Sequence, residues 1–218
     1  MEAMFRKVSE YFEDIAADFD SYYEQPRGFV NKVINAWLRK PGLIKRMEIT
    51  LELINPSSGK RILDVGCGSG KLAIECAKRG AEVYGIDISK NMIKIAKEQC
   101  KRNNVKVELI VGDALKELPK NFDFTVALGV LEYLEQPEAL LRNMLASIKN
   151  GGKIIFSVPS LFAFQTPIRK VYLYFRKVKC YFYTKNKILK LVNSFREVSN
   201  VKIYSYGPGF VVQLTKSK

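Results

Sequence analysis

Residues 62–80 read ILDVGCGSGKLAIECAKRG, an apolar run that leads straight into Gly66, Gly68 and Gly70 and then into apolar residues at helical spacing. A buried-type strand, a glycine turn and an amphipathic helix in immediate succession open a βαβ unit. Glycines at that junction let backbone approach a ligand closely and leave the helix N-terminus open toward it. Two phosphate-binding readings fail on spacing. A dinucleotide fingerprint needs a third glycine where Lys71 stands, and a Walker turn needs Ser or Thr after the lysine, where Leu72 stands. Asp64, two residues before Gly66, repels a pyrophosphate and welcomes an ammonium or hydroxyl. The turn therefore fits a ligand without phosphate; a turn that serves only tight packing is the alternative.

The same alternation continues outward. Strands are expected at 61–65, 82–87, 105–111, 122–128 and 153–158, and helices at about 70–79, 90–102 (opened by Ser89) and 137–149. Residues 1–55 read as an N-terminal helical layer whose third helix ends before Pro56. A helix from Thr184 to about Phe195 is followed by strands 201–206 and 210–215. Gly207-Pro208-Gly209 joins those two strands, so they must run antiparallel at the sheet edge. The fold class is α/β: a Rossmann-like, doubly wound, seven-stranded and mostly parallel sheet with an antiparallel C-terminal hairpin and an N-terminal helical lid. The division is 1–55 as lid and 56–218 as the main domain, with an insertion at about 161–183.

Two further acids fall at the carboxyl ends of strands, where open α/β sheets bind ligands. Asp87 closes EVYGIDIS and can accept both hydroxyls of a ribose, or can serve the following helix as an N-terminal charge beside Ser89. Asp113, in VGDAL, lies at the same rim and can accept from an adenine amino group.

In that order, ILDVGCGSG, VYGIDIS, GDAL and FDFTVALGVLEYL resemble the motifs of the class I S-adenosylmethionine-dependent methyltransferases, with the match strongest over residues 60–160. The resemblance implies a transferase that uses S-adenosylmethionine. Asp64 with the Gly66, Cys67, Gly68 and Gly70 backbone would hold the methionine end, Asp87 and Ile88 the ribose, and Asp113 with Ala114 the adenine edge. Gly129 would floor the site. VLEYLEQPEALLRNM and KNGGKIIFSVPS look like the small-molecule branch that includes the ubiquinone-type and magnesium-protoporphyrin O-methyltransferases, though Tyr133 stands where much of that branch has histidine. VSEYFEDIAADFDSYYEQ resembles that branch's lid, which makes Tyr22 and Tyr23 candidates for the acceptor pocket.

Composition narrows the chemistry. The 218 residues contain no histidine, so imidazole catalysis is excluded. If a hydroxyl is methylated, Glu132 or Tyr133 is the candidate base; a carboxylate acceptor needs none. Four cysteines without C-x-x-C spacing offer no metal cluster, no metal is expected, and they fit a reducing cytoplasm. The net charge of +14 sits almost wholly in residues 161–218, with 12 Lys and Arg against one acid, whereas residues 1–24 carry seven acids. The basic, aromatic stretch at 161–183 admits three partners: water over a small satellite core, an anionic membrane surface or a lipidic or acidic acceptor, and nucleic acid. The leading function is methyl transfer to a small acceptor, most simply at oxygen. An RNA or tRNA methyltransferase gripping phosphates with its tail is one alternative. A non-catalytic protein that keeps only the cofactor pocket is the other.

Overall fold

The computed structural model describes residues 40–218. Helix α1 (Lys40–Ile54) precedes strand β1 (Arg61–Val65), helix α2 (Lys71–Lys78), strand β2 (Glu82–Asp87), helix α3 (Lys90–Arg102), strand β3 (Glu108–Val111) and strand β4 (Phe122–Leu128). A short 3-10 turn, Leu131–Tyr133, leads to helix α4 (Pro137–Ser147) and strand β5 (Ile148–Pro159). Helices α5 (Thr166–Phe175) and α6 (Lys185–Val192) and strands β6 (Val198–Ser205) and β7 (Gly209–Lys216) complete the chain.

One seven-stranded sheet has the order β3-β2-β1-β4-β5-β7-β6. The first five strands are parallel; β7 lies antiparallel between β5 and β6. The hairpin therefore places only β6 at the edge, and β7 becomes an interior strand whose Val211, Val212 and Leu214 are fully buried.

Alternating side chains feed two cores, one on each face. Ile62, Phe124, Val126, Ile155 and Val211 meet Ile49, Leu51 and Ile54 of α1 and Leu72, Ala73 and Cys76 of α2. Leu63, Val65, Ile154, Phe156 and Val212 meet Leu140, Leu141 and Met144 of α4 and Ile188 and Val192 of α6. Each large apolar side chain so buried contributes about 1.5–3 kcal/mol. The expected alternation of strands and helices and the doubly wound class are what the structure has.

The last helix ends at Val192, not about Phe195, and β6 begins at Val198, not 201; three other boundaries differ from expectation for local reasons. Residues 105–107 are not strand, because the chain is still closing α3: Asn104 takes φ +52° and Val105 N–H donates to the Cys100 carbonyl at 3.1 Å. Helix α4 stops at Ser147 rather than 149. The Ser147 hydroxyl lies 2.7 Å from both the Met144 carbonyl and Thr125 Oγ1, and Ile148 already pairs with Phe122. Strand β5 therefore begins five residues early and passes through Asn150-Gly151-Gly152, with Gly151 at φ +73° and a register shift opposite Phe122–Phe124. The stretch 161–183, given no element in the sequence reading, contains α5. The expected lid falls mostly outside the described residues, as do Tyr22 and Tyr23; only its third helix is seen, as α1.

Candidate active site

The carboxyl ends of β1, β2, β3 and β4 converge on an apolar cleft of about 130 Å³. Gly66, Gly68, Asp87, Ile88, Asp113, Ala114, Gly129 and Tyr133 all line it. Asp64, Cys67, Gly70 and Glu132, also expected at the site, lie behind its wall.

The wall is built by hydrogen bonds that use up the glycine turn. Gly66 and Cys67 N–H both donate to the Ile86 carbonyl at 2.8 and 3.1 Å, Gly68 N–H donates to Asp87 Oδ2 at 2.8 Å, and Gly70 N–H donates to the Cys67 carbonyl at 2.9 Å. Four amides that could have cradled a phosphate are thereby committed within the protein. Gly66 has φ +67°, and a β-carbon on it would meet Val130 Cγ2 at 2.4 Å, so only glycine lets this backbone form the cleft edge.

Asp87 closes the junction from the other side. Its Oδ1 accepts from Ser89 N–H at 2.9 Å while Oδ2 accepts from Gly68, and Ser89 in turn caps α3 by accepting from Met92 N–H at 3.0 Å. The structural and ligand roles weighed for Asp87 therefore coexist, since each carboxylate oxygen keeps acceptor capacity toward the cleft. Asp113 is held similarly: Oδ1 accepts from Leu115 N–H at 2.9 Å, in an Asx turn. Among the described residues no lysine or arginine lines this cleft. Two carboxylates and no cation suit a ligand with hydroxyl, amino and positively charged groups.

Asp64 is 3% exposed, within β1. Burial, with the Asp87 charge nearby, pushes its carboxyl up to about 7, against a hydrogen bond from Ala73 N–H and the Arg46 charge, which pull it down. It reaches the site through the field it shares with Asp87. Cys67 is buried against β2, where its Sγ would meet a Gly85 β-carbon at 3.0 Å. Gly70, at φ +82°, starts α2 and sits against Ala96 of α3. Both shape the turn from behind.

The far end of the cleft is floored by Gly129, whose N–H donates to Ser157 Oγ at 3.0 Å. A β-carbon at 129 would come within 3.2 Å of Arg46 Nη1 and 3.6 Å of Glu132 Oε1, so the glycine alone separates the cleft from a buried charged cluster. Glu132 is 3% exposed and faces that cluster. Its Oε1 accepts from Arg169 Nη2 at 3.1 Å, and Oε2 is buried without a hydrogen-bond partner. Arg169 also reaches Tyr133 Oη at 3.5 Å. Burial pushes the Tyr133 phenol up to about 12, against the pull of the Arg169 charge. The two candidate bases are thus unequally placed: Tyr133 lines the cleft but resists ionisation, and Glu132 lies under the floor in an ion pair.

Arg46, Ser157 and Arg169 were not among the expected site residues. Arg169 lies 37 residues from Glu132, and Arg46 lies 111 residues from Ser157, so no sequence spacing links them. One signal existed: Thr166, Arg169 and Leu173 recur at helical spacing and face inward on α5, an arginine on an otherwise apolar stripe.

A glycine turn whose amides are committed within the protein, with successive strand-end acids around an apolar cleft, suits a ligand without phosphate, and the sequence comparison points the same way. Residues 62–152 match the family described as a methyltransferase domain. Those residues thus carry a methyltransferase domain. Among curated relatives, a ubiquinone biosynthesis O-methyltransferase of Aliivibrio fischeri is 34% identical over 115 residues, 51% of this chain and 49% of that protein. One from Coxiella burnetii is 33% identical over 148 residues, 67% of this chain and 58% of that protein. The chain thus spans about half the length of the curated relatives it matches. In fold it resembles the magnesium protoporphyrin IX methyltransferase of Synechocystis PCC 6803, solved with bound SAH, at a TM-score of 0.76 and 21% identity over 96% of this chain and 98% of that one.

Proposed function

We propose that the whole chain is an S-adenosylmethionine-dependent methyltransferase that methylates a small acceptor at oxygen. The observation that carries this reading is the cleft itself, with Asp87 and Asp113 lining it, no lysine or arginine among its described lining residues, and the Gly66, Cys67, Gly68 and Gly70 amides engaged. Bound there, the cofactor supplies a methyl group on a sulfonium, already activated for in-line displacement. Asp87 accepts the ribose hydroxyls, Asp113 and Ala114 meet the adenine edge, and the Gly66–Gly68 backbone takes the methionine end. Met92, Leu115, Leu128, Leu134 and Leu140 keep water from the reacting groups.

The acceptor class follows from what is lacking for proton removal. Among the described lining residues the titratable side chains are Asp87, Asp113 and Tyr133. The first two belong to the cofactor rim, and a phenol near 12 is a poor base at neutral pH. An acceptor oxygen that is already ionised, a carboxylate or an acidic phenol, needs no base. The names of the curated relatives, which methylate oxygen in ubiquinone biosynthesis, support the small-molecule reading over the RNA reading. For the compartment we propose the cytoplasm, on four cysteines that form no disulfide.

The test is titration calorimetry with S-adenosylhomocysteine, followed by mass spectrometry of candidate acids and phenols incubated with the enzyme and cofactor. Expected are micromolar or tighter binding, weakened about ten- to hundred-fold in Asp87→Ala, and a gain of one methyl by an acidic acceptor. Binding of a nicotinamide dinucleotide in place of the homocysteine compound would overturn the proposal.

A further inference from the structure

The basic aromatic stretch divides in two. Around α6 it is a solvated face: Lys187 Nζ lies 4.5 Å from the centre of the buried Tyr183 ring and bonds the Phe182 carbonyl at 3.5 Å. The α5 half is different. Thr166 and Leu173 are buried and Arg169 turns inward to Glu132, whereas Ile168, Val171 and Phe175, at positions i, i+3 and i+7, form the outer face. Those three, with Tyr174 and with Phe162 and Phe164 just before the helix, are 52–83% exposed. Of the ten large apolar side chains exposed among the described residues, seven fall within 161–175. Such a concentration marks an interaction surface, not scattered surface apolarity.

We propose that the outer face of α5 and the segment leading into it dock on an anionic lipid bilayer. The charge is complementary: Lys170, Arg176, Lys177 and Lys179 are exposed beside the apolar face, and no acid occurs between Glu138 and Glu197. An apolar helix face bordered by cations is what settles in the headgroup layer of a membrane. Aliphatic Ile168 and Val171 gain from hydrocarbon and cannot stack on bases, which separates this surface from a nucleic-acid groove. It suits a peripheral contact, since no helix of the described residues is long and apolar enough to cross a membrane. Docking has a consequence for the cleft. The inner face of α5 touches Tyr133 through Arg169, so the outer face sets the acceptor end of the cleft beside the lipid surface. The docking surface stands independently of the proposed methylation.

Vesicle flotation of the full chain tests it, with phosphatidylcholine alone and phosphatidylcholine mixed with phosphatidylglycerol. Expected is binding to the mixed vesicles about ten-fold or more above phosphatidylcholine alone, weakened by salt. Val171→Asp with Phe175→Asp should reduce it at least about ten-fold, and Lys170→Gln or Lys179→Gln about five-fold each. These side chains point outward, so circular dichroism and S-adenosylhomocysteine affinity should stay at wild-type values, and failure of that affinity alone would bear on the methyltransferase reading instead. Four results would overturn the proposal: no vesicle binding; binding indifferent to anionic lipid; a salt-sensitive complex with transfer RNA that the two aspartates abolish; or a dimer that they dissociate.

Discussion

Arg169→Met removes the ion-pair partner of Glu132 and leaves Arg46 as the remaining cation of the cluster, and its cost can be worked from the structure. Removing one partner of a buried ion pair costs about 3–5 kcal/mol, because the remaining charge is left without compensation. Arg169 keeps 35% of its side chain exposed while Glu132 keeps 4%, so water screens part of the pair and the figure falls to about 2–3 kcal/mol. Glu132 Oε2 already lacks a partner, which leaves the carboxylate little means of recovering the loss locally. For a domain of this size, 1 kcal/mol is worth about 2–4 °C, so Tm should fall by roughly 4–12 °C. Urea denaturation at neutral pH, followed by circular dichroism, gives the free energy directly. Adding Glu132→Gln should recover most of it, since the double variant carries no stranded charge, and the cycle should return a coupling of about 2 kcal/mol. A single variant within about 0.5 kcal/mol of wild type, or a double variant no more stable than Arg169→Met, refutes the closed cluster beneath Gly129.

Three further outcomes follow from the cleft wall. Asp64 has a carboxyl raised to about 7 from 3.8, so the folded state holds its proton more tightly than the unfolded state. Its stabilising contribution is complete below about pH 4 and is lost as pH rises through 7, by at most about 4 kcal/mol; Asp64→Asn should flatten that decline in denaturation series between pH 4 and 8. Asp87→Ala removes the acceptor for both Gly68 and Ser89 N–H, and calorimetry should show S-adenosylhomocysteine binding weakened about ten- to hundred-fold, with about 1–3 kcal/mol lost from the apo fold. Gly66→Ala places a β-carbon 2.4 Å from Val130 Cγ2 at φ +67°, at a cost of about 2 kcal/mol, and Val130→Ala in the same chain should restore part of it in thermal melts.

The sheet was largely legible because its signals are local. β1, β2 and β4 fall on the expected residues, since continuous apolar runs bounded by Gly66, Gly80 and Asn121 mark them without reference to the rest of the chain. The β5 start was hidden in Asn150-Gly151-Gly152, which reads as a turn and is in fact a bulge held by Phe122 on a neighbouring strand. Helix α5 was missed because Val171, Tyr172 and Phe175 favour strands; Pro167 in its first turn and the inward pull of Arg169 and Leu173 decide the outcome. The cofactor rim, made of glycines and acids at strand ends, could be read one motif at a time. The acceptor end could not, because Arg46, Glu132, Ser157 and Arg169 meet only after α1, β5 and α5 have packed around the 3-10 turn.

The two regions differ in how they manage charge, and the difference assigns their ligands. At Gly129 the carboxylate of Glu132 is balanced from within by Arg169. At the glycine turn Asp64 and Asp87 repel each other, opposed at Asp64 by the hydrogen bond from Ala73 N–H and the charge of Arg46. The turn amides moderate that repulsion through Gly68, and Asp87 lines a cleft with no lysine or arginine among its described residues. A positive ligand lodged there relieves a stress that the empty fold carries, so part of its affinity comes from energy already stored in the wall. An anionic ligand would add to the stress and find the Gly66, Cys67, Gly68 and Gly70 amides already engaged. The carboxylate pair that should make the protein less stable as pH rises is therefore one that favours a positively charged ligand over an anionic one.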